Sequence, residues 1–439
     1  MATEGVVRQA DPGDGVSVTF RFVHAADIHL DSPLRSLALR KPELAELIGN
    51  ATRQAFVRII DLCLAEQVDA LLIAGDLYDG DQSSMKTARF LAEQLRRLDQ
   101  AGISTFIIRG NHDAMSKITK ELVLPDSVKI FGGRAEALEL PRSSGQLPIV
   151  IHGLSFAQPH APESLLGKYR PAVEGAVNIG MLHTSLAGTQ GHDLYAPCSL
   201  ADLRATGFRY WALGHIHKRA IVDDACVIAM PGMPQGRDIN EAGSKSVSLV
   251  TIRDDRSISV EERSTSVAQF ERVTVDATGV KDWRELVSGV VRALEQMRLT
   301  VGSEHLVARL HVVGATPLAW RIRRDMDLLK TEADDRAAVI GSCWVEKLEI
   351  ACLPPERAGE ASSDPLADLH RLIGEQILGS NAFNAALIGM AEEIRAQLPQ
   401  ECRDVLGSDE DAFREHVALL ARDGAETVVA RLQAAGEGS

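Results

Sequence analysis

The sequence predicts an α/β fold followed by a small α+β domain and a helical C-terminal region. Three observations carry this expectation. From Phe20 to about Thr265, short β-rich apolar runs alternate with amphipathic helical stretches. From about 266 to 353 a shorter strand, helix, strand, helix, strand order follows. Beyond a segment rich in Pro, Gly, Ser and Glu (Pro354 to Asp364), Leu366, Leu369, Leu372 and Ile373 form one apolar helical stripe.

Taken in order, strands are expected at Phe20 to Ala25, Ala70 to Ala74, Ser104 to Ile108, Ile149 to His152, Val177 to Leu182 and Tyr210 to Leu213. Helices are expected at Pro42 to Glu66 and Ser83 to Ala101, the second with Ala88, Leu91, Ala92, Leu95 and Leu98 at helical spacing. Strand, helix, strand, helix, strand implies right-handed crossovers and a sheet covered on both faces. Ser246 to Ile252 and Ile258 to Glu262 read as a hairpin, which points to a mixed or two-sheet core. The second domain reads as strand Phe270 to Val275, helix Trp283 to Leu299, strand His305 to Val313, helix Leu318 to Thr331 and strand Val345 to Ala351. The chain thus divides into an N-terminal tail (1–17), an α/β domain (18–265), an α+β domain (266–353) and a linker with helical region (354–439).

At 439 residues, 45% hydrophobic and 25% charged, the chain can bury a sizeable core, which excludes wholesale disorder. Its 47 basic and 61 acidic side chains leave a net charge of -14, which argues against coating nucleic acid or an anionic membrane by bulk charge. No apolar run approaches the roughly 18 residues of a spanning helix. Met1 to Gly15 lacks the basic-then-apolar order of a signal peptide, so a soluble cytoplasmic protein without membrane contact is expected. The six cysteines are scattered and form no CxxC pair, which argues against zinc-ribbon and thioredoxin-like readings.

Nine of the thirteen histidines fall between His24 and His217. Five short motifs each follow an apolar strand: Asp27-Ile28-His29, Gly75-Asp76, Gly110-Asn111-His112-Asp113, His183, and Gly214-His215-Ile216-His217. Loops beyond strand carboxyl ends build the sites of open α/β sheets. On an extended backbone Asp27 and His29 would point to one side, as would His215 and His217. With His112 set aside, two Asp, one Asn and four His are offered to one crevice. Imidazole with carboxylate suits first-row cations such as Mn²⁺, Fe²⁺ or Zn²⁺ better than Ca²⁺ or Mg²⁺. A bridging carboxylate would hold two such ions about 3.5–4 Å apart, and Asp76, at a central strand end after a glycine, is the expected bridge. Gly75 and Gly110 are expected to let the backbone pass close to the metals.

Together these motifs resemble the calcineurin-type metallophosphoesterase superfamily over about residues 18 to 265, with no ligand position missing. The resemblance implies a mixed two-sheet sandwich flanked by helices, with 266–353 as a capping domain. It implies one metal held by Asp27, His29, Asp76 and His217, and another by Asp76, Asn111, His183 and His215. It implies that His112 protonates the leaving oxygen, with Asp113 beside it to orient the ring. The nucleophile is then a water activated by the two cations, and no Ser or Cys is assigned that role.

Within the superfamily the chain most resembles bacterial DNA-repair nucleases of the SbcD and YhaO type. His24-Ala-Ala-Asp-Ile-His-Leu-Asp-Ser-Pro-Leu34 and Pro231-Gly-Met-Pro-Gln-Gly-Arg237 carry that likeness. It implies DNA as substrate, manganese as the usual metal, an SMC-like coiled-coil ATPase as partner, and a homodimer as a form the chain could take. Ser/Thr phosphatases of the superfamily carry an Arg just after the second motif; Gly75-Asp-Leu-Tyr-Asp-Gly80 has none. Arg35, Arg40, Lys117, Lys120, Lys218, Arg219 and Arg237 are candidate phosphate contacts, each weighed against an ordinary solvated charge. Two other readings stand beside the nuclease: a phosphodiesterase of nucleotides or cyclic nucleotides, and a non-catalytic metal-bound scaffold.

The remaining histidines divide. His24 reads as a core histidine ahead of a neighbour to the metal ligands, His152 equally as lining the site or capping its strand, and His160 and His192 as loop residues, with His192 the better substrate-contact candidate but read first as a surface residue. Asp31 and Asp79 read as turn or cap residues. By part, residues 1–265 carry 28 basic and 32 acidic side chains against 19 and 29 for 266–439, so the excess acid lies beyond the motifs.

Overall fold

The computed structural model describes residues 18–32, 42–79, 84–114, 123–142, 146–186, 195–355, 365–398, 406–407 and 409–437. The tail 1–17, Arg35, Arg40, Lys117, Lys120, His192 and most of the linker (356–364) lie outside the described residues. The chain forms two compact units, one mainly of residues 47–269 with the N-terminal strand, the other mainly of 270–439.

The first unit contains β1 (Val18–Ala25), α1 (Pro42–Ala65), β2 (Ala70–Ala74), α2 (Met85–Gln100), β3 (Ser104–Ile108), β4 (Val128–Ile130), β5 (Glu136–Glu139), β6 (Ile149–Gly153), β7 (Val177–His183), α3 (Leu200–Ala205), β8 (Tyr210–Gly214), β9 (Ala220–Val222), β10 (Val227–Met230), β11 (Ser246–Arg253) and β12 (Ile258–Ser264). They form two six-stranded sheets, ordered β12-β11-β1-β2-β3-β4 and β5-β6-β7-β8-β10-β9. β1, β2, β3 and β4 are parallel, as are β6, β7, β8 and β10; β11 and β12 form the expected antiparallel hairpin.

Side-chain alternation along each strand builds the layers. Phe22, Leu72, Phe106, Ile151, Ile179, Tyr210 and Ala229 meet between the sheets. Their neighbours point the other way. Val23, Leu71, Ile73 and Ile107 pack under α1 and α2, against Phe56, Ile60, Leu91 and Leu95. Leu182, Trp211, Leu213 and Ile228 pack with Leu203 of α3. These strands are buried on both faces, so they read as continuous apolar runs. The strands absent from the sequence reading (β4, β5, β9 and β10) are three or four residues long, and all but β10 lack fully buried runs.

The second unit has a three-stranded sheet of β13 (Ala268–Asp276), β14 (His305–Ala315) and β15 (Cys343–Leu353), with β14 and β15 parallel. Leu306, Ala308, Leu310 and Val312 of β14 present one face to α4 (Trp283–Thr300) and to the helices between β14 and β15. The single helix expected over Leu318 to Thr331 is two, α5 (Ala319–Arg324) and α6 (Met326–Ile340), broken at Asp325 where φ is -103° and ψ 31°. No Gly or Pro marks that break in the sequence. The C-terminal part is helical as expected: α7 (Pro365–Leu372) running into a π turn (Ile373–Ile377), α8 (Asn381–Gln397) and α9 (Glu410–Glu437). Among the described residues no helix is long and apolar enough to cross a membrane.

Candidate metal centre

The strands β1, β2, β3, β7 and β8 end at the five motifs, so both sheets of the first unit contribute to one crevice. The backbone there is not extended. Asp27 (φ 51°), His29 (φ 45°), Asp76 (φ 50°) and His215 (φ 99°) are all left-handed, against the extended geometry the DxH and HxH spacings suggested. Each such residue stores on the order of 1–3 kcal/mol, which the surrounding fold must hold in place. The holding bonds are visible: Asp27 N donates to Gly75 O (3.1 Å), His29 N to Asp76 O (3.0 Å), and His215 N to both Asp27 carboxylate oxygens (3.0 Å each).

The two glycines make room for ligands rather than only for metals. A Cβ on Gly75 would lie 2.4 Å from His183 Nδ1; one on Gly110 would lie 2.3 Å from Asp76 Oδ1 and 2.6 Å from His183 Nε2.

Ligand atoms converge in three clusters, each within 4.8 Å: Asp27, His29 and His217; Asp27, Asp76 and His183; and His29, Asp79 and His112. Asp27 is common to the first two, and in the second it is joined by Asp76, the carboxylate expected to bridge. His183 Nδ1 donates to the Ala74 carbonyl (3.0 Å), and its Nε2 faces Asn111 Oδ1 (3.0 Å) and Asp76 Oδ2 (3.3 Å). Two oxygen acceptors and a ring nitrogen so disposed need a proton or a cation between them. His217 Nδ1 is bonded to Glu241 Oε1 (2.8 Å), and its Nε2 faces His29 Nε2 at 3.3 Å. Among the described residues His29 Nδ1 is buried with no hydrogen-bond partner, and Asp79 Oδ1 lies 3.9 Å from it. His215 sets its ring beside His183 and Tyr195, with centroids 5.1 Å away in each case, and among the described residues it is outside the three clusters.

Titration follows from this packing. Burial pushes Asp27 up to about 6 against the pull of His183 and His217. Burial also works against charge on His183, yet Asp76 and Asp27 drive it up to about 9. Burial opposes ionisation of Asp76 too, but His183, His29 and His112 hold it well below the usual range. Asp27 and Asp76 are 0% and 1% exposed. Two carboxylates that deep need compensating positive charge. The donor set therefore fits divalent cations of the imidazole-binding class.

His112 is 44% exposed, and its Nδ1 lies 2.7 Å from Asp79 Oδ1. That contact raises the His112 pKa, chiefly through the hydrogen bond to Asp79. Asp79 is held in turn by Ser32 Oγ (2.5 Å) and sits well below the usual carboxylate range. This corrects the role given to Asp113. Its carboxylate is buried, accepts from Leu77 N (3.0 Å) and Gly110 N (2.7 Å), and is pushed up to about 7 by burial and then by Asp76. Asp113 staples the β2 and β3 loops together; Asp79 orients the ring.

Sequence reasoning missed Asp79 and Glu241 as site residues. Asp79 had a weak signal, three residues past Asp76 in the same loop. Glu241, 24 residues past His217, had none. Of the basic candidates, Arg237 is braced by Glu241 and Asp79, Arg219 by Ser248 and Glu262, and Lys218 is exposed. His24 is a satisfied core histidine, bonded to Tyr210 OH (3.0 Å) and Leu213 O (3.1 Å). His152 is likewise internal, on Asn178 Oδ1 (2.8 Å) and against Phe208.

Two sheets delivering Asp, His, Asn and His from five strand ends define a metallophosphoesterase, and the chain belongs to the calcineurin-like metallophosphoesterases. The family model described as calcineurin-like phosphoesterase matches residues 20–219, and the one described as the middle domain of metallophosphoesterase YhaO matches residues 270–353. The uncharacterized metallophosphoesterase YhaO of Bacillus subtilis is 34% identical over 278 residues, 63% of this chain and 68% of that protein. The DNA double-strand break repair protein Mre11 of Sulfurisphaera tokodaii is 28% identical over 220 residues, 49% of this chain and 54% of that protein. Its counterpart from Aeropyrum pernix is 24% identical over 311 residues, 67% of this chain and 72% of that protein. The expected family and the likeness to YhaO are thus borne out.

Proposed function

We propose that the chain is a di-metal phosphodiesterase acting on DNA, an exonuclease-type subunit in repair that works with an SMC-like coiled-coil ATPase. The observation that carries the chemistry is the facing pair of imidazole nitrogens, His29 Nε2 and His217 Nε2, beside the buried carboxylate of Asp27. One cation would be held by Asp27, His29, Asp76 and His217, and the other by Asp76, Asn111, His183 and His215, with manganese the proposed metal and Fe²⁺ or Zn²⁺ the alternatives. Bound there, the cations supply Lewis acidity and acidify a water.

The protein's own residues do the rest. Ala74 O and Glu241 fix the His183 and His217 rings through Nδ1, leaving Nε2 toward the crevice. Asp79 occupies His112 Nδ1, so the Nε2 edge is the one that can pass a proton to a departing alkoxide. The half-exposed setting of His112 suits a bulky leaving group. The DNA assignment rests on the Mre11-named relatives and on the opening and post-motif segments. It is tested by offering Mn²⁺-loaded protein linear duplex, single-stranded, hairpin and closed circular DNA beside a small chromogenic diester. The proposal expects metal-dependent cleavage of DNA that His112→Ala slows by about 10²–10⁴-fold. Cleavage of the small diester with every DNA intact, even with an SMC-like ATPase supplied, overturns it.

A further inference from the structure

Glu241 closes a short 3₁₀ turn, Ile239–Glu241, opened by Asp238, whose side chain accepts from Asn240 N. Its Oε1 accepts from His217 Nδ1 (2.8 Å) and from Arg237 Nη2 (2.7 Å); its Oε2 accepts from Arg237 N (2.7 Å) and Nε (3.3 Å). The Arg237 side chain is only 17% exposed, and its Nη1 reaches Ser32 Oγ (3.3 Å) and Asp79 Oδ2 (3.5 Å). Asp79 is the residue that carries His112. A continuous chain of contacts therefore runs from His217 through Glu241, Arg237 and Asp79 to His112. An exposed ion pair contributes little, but this one is largely buried and multidentate, and such pairs hold geometry. A Cβ at Gly236 would lie 2.8 Å from Glu241 O, so the loop carrying both residues has no slack at that point.

We propose that Arg237 and Glu241 are positioning residues. Glu241 fixes His217 in the tautomer with Nδ1 protonated and Nε2 open, and Arg237 ties that ligand to Asp79. Loading of the site and placement of the His112 ring are thereby set together. Carboxylates that orient ligating histidines typically change metal affinity or activity about 10–100-fold when removed. The inference rests on the metal-site reading above.

The test uses the full chain. Long-range ¹⁵N NMR of the wild type, in the metal-free and Zn²⁺-loaded forms, reads the His217 tautomer directly and needs no variant. Titration calorimetry with Mn²⁺ then compares wild type, Glu241→Gln and Arg237→Lys, with circular dichroism confirming the fold of each. The expected result is an Nδ1-protonated His217, and Mn²⁺ affinity lowered about 10–100-fold in Glu241→Gln. In Arg237→Lys, kcat falls more than metal affinity does, because Lys cannot bridge Glu241 and Asp79 in the same fork. An Nε2-protonated His217, or wild-type Mn²⁺ affinity in a folded Glu241→Gln, overturns the inference. If wild type binds Mn²⁺ with the expected tautomer yet hydrolyses no phosphoester, the proposed function fails and the positioning role stands. If wild type hydrolyses DNA and Glu241→Gln matches it in affinity and rate, the positioning role alone fails.

Discussion

His112 Nδ1 and Asp79 Oδ1 lie 2.7 Å apart, the contact on which the proposed general-acid role of His112 rests. The histidine comes from the β3 loop and the aspartate from the β2 loop, on neighbouring parallel strands. His112→Ala should lower kcat by about 10²–10⁴-fold with metal content unchanged, as expected for loss of a general acid. Single-turnover kinetics beside elemental analysis separates these effects.

The pH profile follows from the same contact. Asp79 raises the His112 pKa above its ordinary 6.5, so the protonated form persists above that pH, and activity should fall as pH rises through the raised value. Asp79→Asn removes the main cause of the shift. The alkaline limb of kcat should then move to lower pH, which a pH–rate series at saturating Mn²⁺ reads out. An unmoved limb would assign it to another group.

Gly110→Ala tests the crowding at the crevice floor. The added Cβ would sit 2.3 Å from Asp76 Oδ1, so Asp76 or His183 must move. Mn²⁺ affinity should fall by about 10–100-fold, the range seen when ligand geometry is disturbed. Calorimetry measures it, and a wild-type affinity would show that the floor can relax.

His24 should give the fold a separate acid sensitivity. Burial lowers its pKa to about 3. Below pH 6.5 the unfolded chain takes up a proton that the folded chain refuses, so stability falls between pH 6.5 and about 3, by up to about 1.4 kcal/mol per pH unit. His24→Asn costs about 1–3 kcal/mol at pH 7 through the unsatisfied Tyr210 and Leu213 groups. It should nonetheless lose less than wild type on going to pH 4 in urea melts.

Much of this centre was legible in the sequence, and the reason is physical. Strands buried on both faces read as uninterrupted apolar runs, so Ala70–Ala74 and Ser104–Ile108 have the same limits in sequence and structure. Each motif follows directly on such a run. What the sequence did not disclose depends on loops folding back. Nothing in Asp27-Ile28-His29 announces two left-handed residues. The resemblance implied Asp113 as the residue that orients His112; the turn sends its carboxylate to Leu77 N and Gly110 N and leaves the ring to Asp79. Glu241 reaches His217 across a loop whose closure no periodicity encodes. The break at Asp325 has no Gly or Pro behind it.

Metal loading should stabilise the fold as well as the chemistry. At 100 times its Kd, each cation adds about 2.7 kcal/mol. Thermal melts with Mn²⁺ should therefore lie several degrees above melts in a chelator, and Asp76→Asn should shrink the difference. Equal melting temperatures in both buffers would mean that the buried carboxylates are satisfied without a cation.

The most direct test of the central claim is the number of ions bound per chain. Equilibrium dialysis against Mn²⁺ followed by elemental analysis should give about two ions per chain in wild type. Asp76→Ala should bind fewer, because Asp76 is assigned to both ions. A saturating value of one or none in the wild type, or a wild-type value in Asp76→Ala, would contradict a two-cation centre at these strand ends.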